Sequence, residues 1–287
     1  MKSILLLPTK NESWILKSTI NSLKNIFDNI IVSDQASTDS TLEILMKIQN
    51  LSIIQNPRLA HSNIVRRELL DEARKQFGKN NLIVCIDADE FVPINSFIKF
   101  KKNIKNFEIG TGFSSPWVQL WRSVHQYRND KSVWNPKNNF KDFMFIDDGN
   151  LFYKDEFILN DHTSRIPTLN LNKIIKLKFP LLHFQFVNWE RAQLKQIWYM
   201  CNELIEFSNA QDINKKYFSS RDETGIKYSK SKKSWLLGLE NYNDLNRANS
   251  NNSWHLNEIK KLFDKYGSEY FLELDIWNNK LISNLKN

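Results

Sequence analysis

Two carboxylates, Asp87 and Asp89, directly follow an apolar run at residues 82–86. An apolar, partly β-branched run of this kind is typical of a buried strand in a parallel sheet, and ligands bind at the carboxyl ends of such strands. Carboxylates one residue apart suit a hard divalent cation such as Mg²⁺ or Mn²⁺, which can then hold a phosphate. The alternative for an isolated Asp-x-Asp pattern is a solvated turn. Glu90 is interpreted as a supporting carboxylate or as the start of a helix.

Three strand–helix units precede this run and determine where the carboxylates lie. The hydrophobic pattern predicts four strands, at residues 3–7, 29–33, 51–54 and 82–86, and three helices between them, at about 13–27, 37–48 and 62–77. Repeated units of this length form right-handed β-α-β crossovers and therefore a parallel sheet. Because parallel strands share a direction, the polar segments that follow strands one, two and four must meet at one edge of the sheet.

The second half of the chain has a different pattern. Short strands are predicted at 112–117, 143–147 and 181–187, followed by a long amphipathic helix at 188–207 and a later helix at 254–266. Most of the aromatic side chains in this half are interpreted as core residues. The remainder of the chain is expected to be mostly helical.

The composition is that of a globular chain with a basic bias. The 287 residues are 41% hydrophobic and 25% charged, and the net charge is +8. This charge is spread along the chain without a nucleic-acid-binding motif, so nucleic acid is not an expected partner. The apolar N-terminus is too short for a signal peptide and is expected to be the first strand. Cys85 and Cys201 are expected to be buried thiols in a reducing, cytoplasmic compartment.

Three phrases, LLLPTKNE, IIVSDQASTDST and VCIDADE, resemble the inverting glycosyltransferases of family 2, which have the GT-A fold. The resemblance covers residues 3–92 strongly and extends more loosely to about residue 199. It implies an α/β, GT-A-like fold with a parallel-centred nucleotide-binding sheet flanked by helices. It also implies three segments: a nucleotide-sugar-binding half at 1–105, an acceptor-side, catalytic α+β half of the same domain at 106–210, and a mostly helical C-terminal extension at 211–287.

By position in these motifs, the resemblance implies four residues that hold the nucleobase and ribose of a nucleotide sugar: Pro8, Thr9, Glu12 and Asp34. Gln35 stands where the family usually has a second acidic residue. Asp39 matches a later acid of the same motif, but helix N-capping explains it equally well. Arg66 matches an arginine that faces the donor diphosphate, and its neighbour Arg67 is interpreted as solvent-facing.

The resemblance also implies a bound divalent cation, Mn²⁺ or Mg²⁺, which neutralises the diphosphate leaving group. Asp89 is its implied direct ligand, Asp87 contacts ribose, metal or both, and His183 is the implied third ligand. A core histidine bonded to a backbone carbonyl is the alternative for His183. Arg165, together with His162, is a candidate for holding phosphate or acceptor.

An inverting transfer needs a carboxylate that deprotonates the acceptor hydroxyl. The resemblance implies Asp161 for this role, and a loop or capping function is the alternative for that residue. Three other carboxylates remain rivals for the base: Asp147, Asp148 and Glu190.

The sequence therefore predicts a cytoplasmic, metal-dependent inverting glycosyltransferase that uses a nucleotide diphosphate sugar, a UDP-sugar, and a surface-glycan or lipid-linked acceptor. Four lysines precede a Trp-Leu-Leu segment at 235–237: Lys227, Lys230, Lys232 and Lys233. This basic segment is interpreted as a solvated loop or as a peripheral contact with the anionic inner membrane surface.

Two other functions remain alternatives. A sugar-phosphate nucleotidyltransferase shares the sheet type and acidic metal site, but it needs a glycine-rich loop after the first strand, and residues 8–11 contain no glycine. A non-enzymatic, basic RNA- or glycan-binding protein would have no affinity for nucleotides, which distinguishes it from the enzyme.

Overall fold

The first third of the chain forms a parallel sheet with helices packed against it. The computed structural model describes residues 1–57, 63–153, 164–167, 170–247 and 254–285. Its first elements are β1 (Ser3–Thr9), α1 (Ser13–Leu23), β2 (Asn29–Asp34), α2 (Thr41–Leu45), β3 (Leu51–Gln55), α3 (Asn63–Phe77) and β4 (Leu82–Cys85). The four strands are parallel and lie in the order β4-β1-β2-β3. The predicted β-α-β series is confirmed.

Two helices end earlier than the sequence pattern predicts. The helix α1 ends at Leu23 instead of near residue 27, and α2 ends at Leu45 instead of near residue 48. Ile26 and Phe27 nevertheless remain buried in the core that α1 joins. Because their side chains continue the apolar periodicity beyond the helix, the pattern alone overestimates its length.

Beyond β4 the sheet continues with mostly antiparallel strand pairs, although β9 and β10 each lie parallel to β6. The remaining strands are β5 (Glu90–Phe91), β6 (Thr111–Trp121), β7 (Gln126–Arg128), β8 (Phe140–Ile146), β9 (Lys173–Lys176), β10 (Leu181–Phe186) and β11 (Tyr228–Lys230). The strand β8 pairs antiparallel with both β4 and β6, so the main order is β11-β7-β6-β8-β4-β1-β2-β3. The strand β10 pairs with β6 and β5, which brings it beside the turn that follows β4.

The C-terminal region is helical, as predicted. The other helices are α4 (Ile94–Lys102), α5 (Trp189–Phe207), α6 (Ala210–Arg221), α7 (Trp254–Tyr266) and α8 (Lys280–Ser283). Asn188 caps the N-terminus of α5, where its side chain accepts a hydrogen bond from the Arg191 N–H. Apolar residues of α5, α6 and α7 form a core of their own, in which Ile197, Ile259 and Phe263 are buried. Within the described part of the chain, no helix combines the length and apolar character that a membrane crossing requires.

The two cysteines are buried free thiols, as the sequence predicts. Cys85 ends β4 and Cys201 lies on the inner face of α5. Burial raises the pKa of Cys85 to about 11 and that of Cys201 to about 12. Both side chains therefore stay protonated and act as apolar core residues.

Candidate functional site

A cavity of about 1630 Å³ opens at the carboxyl ends of β1, β2 and β4. The three polar segments that follow these strands line it, which agrees with the convergence expected of parallel strands. Its opposite walls come from α5, α6, α7 and the loop before β8. Seven of the predicted site residues line the cavity: Pro8, Thr9, Glu12, Arg66, Asp87, Asp89 and His183.

Asp34, the remaining described donor residue, is buried at the end of β2 beside the cavity. Its Oδ2 accepts a hydrogen bond from the Ser37 N–H at 3.2 Å. Among the described residues its Oδ1 has no hydrogen-bond partner, and the same holds for Oγ1 of buried Thr9 on the neighbouring strand. The two strand tips therefore each offer one buried oxygen that is not used within the described fold.

Asp87 is held by two arginines. Arg66 Nη2 donates to its Oδ1 at 2.5 Å, and Arg165 Nη2 donates to its Oδ2 at 2.7 Å. Both arginine side chains are almost fully buried. Because each carboxylate oxygen already accepts a charge-assisted hydrogen bond, Asp87 is poorly suited to bind a metal ion directly.

Glu90 is fully buried and holds Arg165 in place. Its two oxygens accept hydrogen bonds from Arg165 at 2.7 and 3.2 Å, and Oε1 also accepts from Trp117 Nε1 at 2.7 Å. Burial opposes the charge of Arg165, but Asp87 and Glu90 outweigh it and raise the pKa of the guanidinium. Glu90 belongs to β5 and does not begin a helix, since α4 begins at Ile94. The supporting role was the correct one of the two interpretations.

Asp89 and His183 face each other in the cavity. His183 Nε2 lies 3.4 Å from Asp89 Oδ2, an oxygen that has no hydrogen-bond partner among the described residues. The other ring nitrogen, Nδ1, lies 2.7 Å from Oε1 of the Gln119 side chain and donates to it. This contact leaves Nε2 directed towards the Asp89 carboxylate, and an imidazole nitrogen beside a carboxylate oxygen is a donor set that divalent cations bind. His183 is therefore not the core histidine bonded to a backbone carbonyl that its residue type also allowed.

Lys195 on α5 is the cation nearest to Asp89 in the described structure, with its Nζ 3.7 Å from Oδ2. Burial raises the pKa of Asp89, but Lys195 and His183 outweigh this effect and lower it. Burial likewise lowers the pKa of Lys195, but Tyr199, Asp89 and Glu12 outweigh it and raise the value. Both side chains are thus charged, and the Lys195 ammonium balances the Asp89 carboxylate.

The predicted set of three metal ligands is brought together only in part. In the described ranges, no three His, Cys, Asp or Glu side chains cluster closely enough to hold a metal ion. Asp89 and His183 meet, whereas Asp87 is directed towards the arginines. The two acids of the Asp-x-Asp pattern therefore have different partners. The arginines that reach Asp87 come from α3 and from the segment after residue 163.

Glu12 connects β1 to the start of α5. Its Oε2 accepts hydrogen bonds from Arg191 Nη2 at 2.8 Å and from Trp14 Nε1 at 2.5 Å. Burial raises the pKa of Glu12, and the Arg191 charge opposes this effect. The guanidinium also lies 4.6 Å from the centroid of the Trp14 ring. This carboxylate lines the cavity but already has an ionic partner, so its contact with nucleotide stays a prediction.

The structure places the three rivals for the general base outside the cavity. Asp147 and Asp148 follow β8 at the opposite edge of the sheet, where Ile146 pairs with Leu82, and both Asp147 oxygens accept hydrogen bonds from Arg74. Glu190 is exposed and lies outside the cavity. Asp161 and His162 lie outside the described residues. Three further carboxylates line the cavity from α5 and α7: Glu206, Glu258 and Asp264.

Sequence reasoning missed three residues of the site that come from the antiparallel strands. Trp117 and Gln119 are two residues apart on β6; Trp117 donates to Glu90, and Gln119 accepts from His183. Lys141 of β8 lies over the Trp117 ring. A glutamine within an otherwise buried strand is the signal that was available, because a buried amide requires a polar partner. The identity of that partner could not be read from the local pattern.

Comparison with known proteins identifies the family. Residues 4–159, slightly more than half of the chain, match the family model described as Glycosyl transferase family 2. The chain belongs to this family. The resemblance found in its three motifs is thus confirmed, and the matched region contains β1 to β8 and the whole Asp-x-Asp turn.

Individual relatives of this family 2 chain are similar over a shorter region. An uncharacterized glycosyltransferase of Rickettsia conorii is 36% identical over 86 residues, which are 29% of this chain and 27% of the relative. One from Rickettsia prowazekii is 37% identical over 86 residues and 26% of its length. The match thus spans about a quarter of these curated relatives. The solved structure of S. aureus TarS with UDP-GlcNAc is 15% identical, with a TM-score of 0.46, and the match covers 100% of this chain and 87% of that one.

Proposed function

We propose that this protein is a metal-dependent, inverting glycosyltransferase that moves a sugar from a UDP-sugar to a glycan or lipid-linked acceptor. Family membership supports glycosyl transfer. The observation that carries the proposal is the Asp89–His183 pair at the carboxyl end of β4, inside a cavity lined by the tips of β1 and β2. This position is where open α/β sheets bind nucleotides.

Asp89 and His183 are the residues that would hold the metal. The Asp89 Oδ2 without a hydrogen-bond partner and the neighbouring His183 Nε2 suit Mn²⁺ or Mg²⁺, and the Gln119 side-chain oxygen, which accepts from Nδ1, orients the imidazole as metal sites require. The bound cation supplies neutralisation of the charge that develops on the diphosphate leaving group. Asp89 and His183 would hold the cation from the protein side, and such ions usually also bind substrate phosphates.

The remaining donor contacts follow from groups that the fold leaves without partners. Arg66 Nη1 is a buried donor with no acceptor among the described residues, and it suits a diphosphate oxygen. The oxygens of Thr9 and Asp34 at the tips of β1 and β2 suit donors of a nucleobase or ribose. Pro8 contributes to the cavity wall beside Thr9, and Asp87 is proposed to orient ribose from between its two arginines.

Metal-dependent nucleotide binding tests this function. We expect UDP with Mn²⁺ to raise the melting temperature of the protein. CDP, GDP and ADP should raise it less, because the proposed pocket at the tips of β1 and β2 would recognise the base. Excess EDTA should remove the shift, and a panel of UDP-sugars with Mn²⁺ should show slow hydrolysis of the correct donor. A nucleotide shift that persists undiminished in EDTA would contradict metal dependence, and the absence of any nucleotide shift would favour a binding protein.

Asp161 is proposed as the general base that deprotonates the acceptor hydroxyl. Asp161→Asn is expected to keep the affinity for UDP and Mn²⁺ while transfer falls by about 10²- to 10⁴-fold, the usual contribution of a positioned base. Binding by calorimetry and turnover with the identified donor check both parts. Glu258→Gln is the matched variant, since Glu258 of α7 is a carboxylate that lines the cavity. If that variant loses transfer and Asp161→Asn does not, the base is on α7.

A further inference from the structure

The cavity is larger than a nucleotide sugar requires. Its volume of about 1630 Å³ exceeds the roughly 300–1,000 Å³ of typical small-molecule sites. Part of the additional space lies towards β8, where Trp134, Asn139 and Lys141 line the wall. The strand order places β8 on the side of β4 opposite to β1 and β2. This part of the cavity is therefore distinct from the strand tips assigned to the nucleotide.

Lys141 presents an unpaired ammonium to this space. Its Nζ lies 4.4 Å from the centroid of the Trp117 ring, and in the described part of the structure it makes no hydrogen bond or ion pair. Burial and the charge of Arg165 lower its pKa, and the more weakly acting carboxylates of Glu90, Asp87 and Asp142 oppose this effect. Asp142, the next residue of β8, projects from the other face of the strand and is not part of the cavity wall.

The charges around Trp117 leave Lys141 as the surplus cation. Arg66 and Arg165 are balanced by Asp87 and Glu90, through the hydrogen bonds described above. Glu90 and Asp87 act on the Lys141 ammonium only from a distance, since both carboxylates already bind the arginines, and the ammonium is partly desolvated. A desolvated charge without a partner is costly, and an anionic ligand in the cavity removes that cost.

We propose that Lys141 binds a phosphate or carboxylate group of the acceptor, so that the acceptor is an anionic glycan. This inference rests on the proposed function, since it assigns the nucleotide to the other part of the cavity. The Trp117 ring beneath the ammonium and the Trp134 and Asn139 side chains nearby provide the aromatic and amide surface that sugar rings contact. The positive charge of Lys141 then favours an acceptor that carries a phosphate or carboxylate over a neutral one.

Binding of simple sugar probes tests the assignment. Glucose 6-phosphate and glucuronate are the anionic probes and glucose is the neutral one, each titrated into the protein saturated with UDP and Mn²⁺ and followed by ligand-observed NMR. We expect the anionic probes to bind at least about tenfold more tightly than glucose. Lys141→Met should remove this preference, and Lys141→Arg should retain most of it because the charge is kept.

The control variant is Lys176→Met on β9. This lysine also lies over an aromatic ring, 4.7 Å from the centroid of Phe140, but it is exposed and outside the cavity. We expect it to change neither probe binding nor UDP binding. A neutral probe that binds as well as the anionic ones overturns the proposal. So does a fall of tenfold or more in UDP affinity on Lys141→Met, because Lys141 would then belong to the donor site.

Repeating the titrations without nucleotide separates the two proposals. If wild-type protein fails to bind UDP, the proposed function is contradicted, while the preference for anionic probes and its loss on Lys141→Met are still measured. If UDP binds and the preference is absent, the anionic acceptor is contradicted and the donor site stands.

Discussion

Asp89→Asn is expected to abolish Mn²⁺-dependent UDP binding and to lower the rate of transfer by about 10³-fold, the upper range for loss of one electrostatic group at a reacting centre. Asparagine has nearly the same shape as aspartate but no charge, so it leaves His183 Nε2 with a weak partner and Lys195 without its counter-ion. The binding site for the cation would then carry a net positive charge. Calorimetric titration with Mn²⁺ and UDP measures the loss directly.

The matched control for this variant is Asp142→Asn. That carboxylate is half-buried on β8 and outside the cavity, so its replacement should leave Mn²⁺-dependent UDP binding unchanged. Thermal unfolding of both variants establishes that they are folded. If Asp89→Asn binds UDP and Mn²⁺ as the wild type does, the metal is held elsewhere and the roles assigned to Asp89 and His183 are wrong.

Arg165→Met is expected to destabilise the fold by about 3–5 kcal/mol, the usual cost of removing one partner from a buried ion pair. The variant leaves Glu90, which is fully buried, and Asp87 without the guanidinium that each contacts. Urea unfolding measures the free energy change. Asp87 also loses one of the two arginines that orient it, so the affinity for UDP should fall in the fraction of the protein that remains folded.

Two companion variants decide whether the cost comes from the buried charges. Arg122→Met removes an arginine from an exposed pair with Glu223 and should cost no more than about 1 kcal/mol. Adding Glu90→Gln to Arg165→Met removes one of the two unbalanced carboxylates and should recover part of the lost stability. Strictly additive losses in the double variant would show that Arg165 acts through packing and not through Glu90.

These two predictions express one physical feature of the site. The Asp-x-Asp turn places Asp89 and Glu90 in buried positions and Asp87 in a half-buried one, and each acid needs positive charge nearby. The fold supplies arginines to Asp87 and Glu90 and leaves Asp89 with a lysine and a histidine. A metal ion displaces the Lys195 ammonium, which lies 3.7 Å from Asp89, more easily than it displaces an arginine that is hydrogen-bonded to its carboxylate. The division of roles between neighbouring acids follows from the kind of cation that meets each one.

Local pattern was sufficient for the first third of the chain. The apolar runs and amphipathic helices determine β1 to β4 and their crossovers, because period and length are properties of short segments. Once the strands are parallel, the convergence of residues 8–12, 34–39 and 87–89 at one edge is a geometric consequence. Helix ends were less predictable, since Ile26 and Phe27 stay buried after α1 has ended.

The base illustrates where such reasoning stops. Asp147 and Asp148 have the right residue type and follow a predicted strand, yet that strand is antiparallel to β4 and ends at the edge away from the cavity. Strand direction in this half depends on long-range pairing, which the alternation of side chains does not encode. Only the tertiary structure could remove these two acids from consideration.

The sequence by itself determined the family, the parallel sheet and the edge at which its polar residues gather. The tertiary structure alone decided which of those residues remain available to a ligand. Asp87 meets Arg165 across 78 residues and Glu12 meets Arg191 across 179, so both carboxylates are already engaged. Asp89 Oδ2 lies near Lys195 and His183 but accepts no hydrogen bond among the described residues, and the Lys141 ammonium lies over the Trp117 ring. Ionic partners come from distant parts of the chain, and the balance of buried charge is therefore a property of the whole fold.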